Sequence, residues 1–165
     1  MSLFRNPSQR QIDFGLAVLR IVVGVVFLGH GSQKLFTFGF TGVTGAFAHM
    51  GVPLPGFTGP FIAVLEFCGG IALILGLLTR LFAFGLFFDM LGAITIVKLK
   101  AGVFGQGGFE FEMTLCAAAF ALMLMGAGKF SIDGLIARRE AGSGKREAGS
   151  GRREAGRGPR DAGGA

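Results

Sequence analysis

This chain has little of what metal, haem and nucleotide chemistry needs. There are two cysteines in 165 residues, Cys68 and Cys116, 48 positions apart, each in an apolar run and with no CxxC pair. An iron–sulfur cluster draws on several thiolates and a structural zinc on a His/Cys set, so neither is expected, and both cysteines read as small packing residues. Histidine occurs twice, and only His30 falls in a long apolar run, whereas a bis-histidine haem needs two such residues. The glycine-rich stretch AGVFGQGG has no preceding strand, no Walker lysine and no acidic ribose partner, which excludes a nucleotide loop. Tryptophan and tyrosine are absent, and charged residues make up 16%.

What is present is hydrophobic length. The chain is 51% hydrophobic with 19 Phe and a mean hydropathy of +0.61, values that suit an integral membrane protein of one domain. The formal charge of +6 first suggests nucleic acid. However, residues 138–165 hold eight Lys or Arg against four acids, while residues 1–137 hold eight against six. The basic balance belongs mostly to the tail, no aromatic residue interleaves with it, and no nucleic-acid partner is expected.

Residues 14–36, FGLAVLRIVVGVVFLGHGSQKLF, are the centre of the pattern. At ~1.5 Å per residue they span roughly 34 Å, enough for a bilayer core of about 30 Å. They follow a polar, basic stretch, residues 1–13, and are too long for a signal-peptide core; no small-x-small cleavage site follows, so the run is expected to stay attached. Further spans are expected at about 57–78, with Pro60 in its first turn, at 81–99 and at 109–126. Between the first two, Val43, Phe47 and Met50 fall on one helical face after Thr41, a candidate cap, and predict a short interfacial helix; His49 reads as an exposed loop residue. Gly24/Gly31, Gly69/Gly76, Gly85/Gly92 and Ala119/Gly126 are small pairs two turns apart, the spacing of close helix packing. The fold class is therefore all-α: an integral membrane four-helix bundle over residues 14–135.

From residue 136 the chain changes character. RREAGSG, KREAGSG, RREAGRG and PRDAGGA repeat with no apolar seam for a coiled coil and too little apolar surface to fold. A disordered tail over 136–165 is predicted, with weak attraction to anionic lipid as one role and plain solvation as the other. Arg5, Arg10, Arg80, Lys129 and the tail stand on one side of the four spans, and Lys98 and Lys100 on the other. The positive-inside rule then gives a bacterial cell membrane protein with both termini cytoplasmic.

Ionisable residues inside spans cost about 2.5–3.5 kcal/mol each unless paired, and they usually mark a proton, ion or ligand path. Two polar layers are expected: His30, Lys34, Glu66 and Glu110 at one depth, and Arg20 with Asp89 at the other. With His30 neutral, Arg20, Lys34, Glu66 and Asp89 cancel in charge.

The run His30-Gly31-Ser32-Gln33-Lys34-Leu35-Phe36 resembles the DoxX family of small four-span bacterial membrane proteins. MGVPLP, Glu66 ahead of Gly69-Gly70, the Leu77-Leu78-Thr79-Arg80 turn, GGFEF with Glu110, and GAGKFSID agree with it over about residues 14–135. Lys98 stands where members often carry histidine. The resemblance implies a link to redox work, since related proteins are membrane subunits of thiosulfate:quinone oxidoreductase or associate with oxidative-stress enzymes. It adds Gln33 to the polar set.

Three functions follow as expectations. The first is an accessory or quinone-interacting subunit of an oxidoreductase system, with His30, Lys34 and Glu66 as head-group candidates. The chain has no electron carrier of its own, so a redox protein partner is implied. The others are a small transporter or proton/solute permease using the same polar layer, and a non-catalytic scaffold. No catalytic residue and no metal are assigned; a homo-oligomer stays open.

Overall fold

The computed structural model describes residues 6–139. Among these residues there is no strand; every element is helical. The first, α1 (Gln9–Ser32), starts earlier than the apolar run because Ser8 and Gln11 form a reciprocal capping box, the Ser8 N–H donating to Gln11 Oε1 at 2.8 Å. Leu16, Ala17, Arg20, Val23, Gly24, Phe27 and Gly31 are its buried stripe, at helical spacing.

The α1 rod does not stop at Ser32. It widens into a π-helical turn, Gln33–Phe38, which ends where Gly39 takes φ 66° and ψ 170°, a conformation costly for any residue with a Cβ. The chain then turns into α2 (Gly39–His49), which packs Val43 and Phe47 on the next helix; Met50 lies just past its end and Thr41 makes no cap. The short helix expected here is present, with its start set by Gly39.

α3 (Pro55–Leu75) is antiparallel to α1, and Pro60 lies in its second turn. α4 (Thr79–Gly92) runs on through a second π-helical turn, Ala93–Lys98, and a 3₁₀ turn, Leu99–Ala101. α5 (Glu110–Met125) completes the bundle. Among the described residues three helical runs, Gln9–His49, Pro55–Leu75 and Thr79–Ala101, are long and apolar enough to cross a membrane. α5, the fourth rod, has 16 residues, ~24 Å of helix.

α1 packs most extensively on α3, and α4 on α5; α3 joins the two pairs, and α1 touches α5 more thinly. Phe27, Leu73, Leu86 and Leu122 are fully buried where the four rods meet. Phe14, Val18, Val22, Val25, Phe84, Phe120 and Leu124 point outward, an apolar band that water would not tolerate and lipid does.

The glycines sort differently from the seven-residue pairs. A Cβ on Gly31 would meet the backbone of Phe67, one on Gly70 the backbone of Leu28, and one on Gly24 the Gly70 carbonyl. So Gly24, Gly31 and Gly70 let α1 and α3 touch backbone to backbone. Gly69 instead faces Leu86 and Phe82 of α4, Gly76 ends α3 at φ 70°, and Gly92 has open space around it. Cys116 is buried as expected, but Cys68 is exposed on α3 rather than packed in the core.

At the end where α1 and α4 begin, residues 126–134 fold back over the bundle. Residues 132–139 are helical, reaching the first positions of the expected tail; the rest of the repeat, 140–165, lies outside the described residues. Here Arg20, 2% exposed, donates from its two terminal nitrogens to Ala127 O and Phe130 O, both at 2.8 Å. The Asp133 carboxylate accepts from Leu78 N (2.8 Å) and Thr79 N (3.0 Å), capping α4, whose preceding residue Leu78 is left-handed at φ 47°.

Candidate functional site

At the opposite end of the bundle, where α1 and α4 finish, lies a cavity of about 430 Å³. Its walls are mostly apolar: Phe27, Phe47, Phe88 and Phe111 stand in them with Met50 and Ile62. That size and that lining are usual for a small-molecule site. Polar groups enter from every helix around it: His30 and Lys34 from the α1 rod, Glu66 from α3, Asp89 and Lys98 from the α4 rod, Glu112 from α5.

Lys34 and Glu66 form an ion pair across α1 and α3, and the Glu66 side chain is only 3% exposed. Both lysines of the cavity sit in π-helical turns. Such turns alter the rotation of the residues that follow and recur at functional sites. Lys98 pairs with Glu112 at 2.6 Å. The His30 ring lies 5.7 Å from that of Phe111.

Three expected placements are overturned. Arg20 and Asp89 do not meet. Arg20 is held by the carbonyls of the 126–134 turn, with Asp133 as its nearby anion, while Asp89 stands within hydrogen-bonding reach of Glu66 and in the field of Lys34. The reason is direction along the rods: Arg20 is on α1 near the start of α4, and Asp89 lies near the far end of α4. The four-charge balance therefore dissolves. Glu110 also leaves the polar layer. It begins α5 beside Gly108, with its own N–H on Val103 O at 3.1 Å, and does not line the cavity. Gln33 is exposed and outside the cavity as well. His30, Lys34 and Glu66 do come together around one space.

Lys98 and Glu112 belong to the site without having been singled out as site residues. A signal existed for Glu112: it continues the buried stripe Leu115, Cys116, Ala119 and Leu122 at helical spacing, whereas Glu110 lies about 200° away around the helix. Asp89 Oδ2 and Glu112 Oε2 are buried with no hydrogen-bond partner among the described residues. Among the same residues no three His, Cys, Asp or Glu gather closely enough to hold a metal ion.

This arrangement can seat a flat, largely apolar ring and hydrogen-bond oxygen atoms at its edge. The ammonium groups donate to carbonyl oxygens, and the phenylalanines keep water away.

Comparison with known proteins agrees with the fold. The DoxX family profile matches residues 15–99, and that of the TQO small subunit DoxD matches residues 60–146. CatD of Bacillus subtilis, which its name assigns provisionally to the oxidoreductases, is 32% identical over 68% of this chain and 81% of its own length. The membrane protein Rv3486 of Mycobacterium tuberculosis is 33% identical over 76% and 83%. The inner membrane protein YqjF of Escherichia coli is 33% identical over 77% and 95%. No solved structure matches the chain. With the family profile over more than half of its length, two relatives named as membrane proteins and three helices able to cross a bilayer, the chain belongs to the DoxX family.

Proposed function

We propose that this protein is a quinone-binding membrane subunit of an oxidoreductase system, receiving its electrons from a protein partner. One observation carries the reading: an aromatic-walled cavity of about 430 Å³ edged by two lysine–carboxylate pairs. The name of CatD and the DoxD match support a redox setting. A bound quinone supplies a carrier of two electrons and two protons. Lys34 and Glu66 hold one edge of its head group and Lys98 with Glu112 another, while Phe27, Phe47, Phe88 and Phe111 exclude water from the ring. The chain spans the bacterial inner membrane with both termini in the cytoplasm, by the placement of its Lys and Arg.

The chain lacks Trp and Tyr, so a single introduced tryptophan reports without background. In detergent micelles, Phe111→Trp protein titrated with a short-chain ubiquinone analogue is expected to show saturable quenching. Glu66→Gln in that background weakens it roughly tenfold, because Lys34, the donor to the quinone oxygen, loses the carboxylate that holds it in place. Quenching that rises linearly with quinone and ignores Glu66→Gln would mean partition into the micelle, and the reading would be wrong.

A further inference from the structure

The acids of the cavity outnumber its lysines. Its cations are Lys34 and Lys98; its acids are Glu66, Asp89 and Glu112; His30 completes the set. Lys98 is taken by Glu112 and Lys34 by Glu66. The remaining arginine of α1, Arg20, is at the other end of the bundle on Ala127 O and Phe130 O. Among the described residues Asp89 has no cation of its own. Its neighbour is the Glu66 carboxyl, and its Oδ2 is buried without another partner among the described residues.

Two ionised carboxylates are acceptors only and cannot hydrogen-bond to each other. Packed together in an apolar site they repel strongly, and a shared proton removes the conflict, as in carboxylate dyads. We infer that Glu66 and Asp89 share one proton inside the cavity, so that a carboxyl pair with a single negative charge faces Lys34. The count then closes: one negative charge against Lys34 and Glu112 against Lys98. A neutral cavity is what an apolar, membrane-embedded site requires.

The consequence is chemical. A pair that carries a proton can donate a hydrogen bond as well as accept one. Beside Lys34 it presents a donor to a carbonyl oxygen, where two bare carboxylates would repel it. For the identity of the ligand this rests on the quinone reading; for the proton itself it does not.

Infrared difference spectroscopy on the whole chain in liposomes tests both parts. At neutral pH the protein is expected to show a protonated-carboxyl C=O stretch that shifts in heavy water. Glu66→Gln and Asp89→Asn should each shift or abolish it, because each removes one half of the pair; Glu112→Gln should leave it. Should either variant fail to fold by circular dichroism, carbon-13 labelling of aspartate and glutamate in the unaltered chain replaces it, and the band must move with one of the two labels. Absence of the band, or a band indifferent to both variants or to both labels, overturns the shared proton. Adding a short-chain ubiquinone analogue should lower the frequency of this band as the pair donates to the quinone. A band that is present but unmoved by the analogue keeps the proton and removes the quinone, so the two claims fail separately.

Discussion

Arg20 and Lys34 are both cations on one hydrophobic rod, yet they solve the same desolvation problem in different ways. Arg20 uses its fork of N–H donors to close two backbone carbonyls of a turn. Replacing it with Gln leaves at least one buried carbonyl unpaired, at about 1–3 kcal/mol, and a thermal melt in detergent should show a lower midpoint. Lys34 is a point charge, and its value depends on Glu66. Lys34→Met and Glu66→Gln should each destabilise by roughly 3–5 kcal/mol, and the double variant by clearly less than their sum, because breaking one side of a buried pair costs more than removing both. Additive losses would show that the pair does not interact. The identity of these residues as buried and partnered was legible in the sequence, since bare charge in an apolar helix must be answered. Their partners were less legible. Asp89 looked like the natural mate of Arg20 by depth alone, because depth counts residues along one rod and ignores how the 126–134 turn competes for the guanidinium.

At the level of elements, the spans were readable from hydropathy and their ends only in part. α1 begins at a Ser8–Gln11 box rather than at the first apolar residue, and the π-helical turns carry no composition that announces them. The small-residue seam was found in kind but not in register: Gly24 and Gly31 meet Gly70, while Gly76 and Gly92 have other surroundings. Gly31→Ala and Gly70→Ala push a methyl into opposing backbone, an overpacking cost of about 1–3 kcal/mol or more. Gly15→Ala, with nothing within 4 Å, should instead be neutral or stabilising by up to ~1 kcal/mol from helix propensity. A melting series of the three in one detergent separates contact from propensity. α4 starts from a left-handed Leu78 steadied by the Asp133 carboxylate. Asp133→Ala removes that cap at a cost of about 0.5–2 kcal/mol, and hydrogen exchange at Leu78 and Thr79 should accelerate.

The whole molecule has two unlike ends. At one, Arg20, Asp133 and the 126–134 turn fasten the helices together; at the other, helices that end in π-helical turns stand apart around the cavity. With Cys68 and Cys116 replaced by Ala, a cysteine at Ser8 should react with a membrane-impermeant maleimide only in inverted vesicles, and one at Gln106 only in right-side-out cells. The opposite pattern would reverse the orientation given by the Lys and Arg placement.

Between the two ends, Leu16, Val23, Leu73, Ala83 and Leu122 belong to one buried apolar cluster. Phe27, Met90 and Leu115 belong both to that cluster and to the cavity wall, so the core itself is part of the chamber's lining and a substitution that repacks it should reshape the chamber.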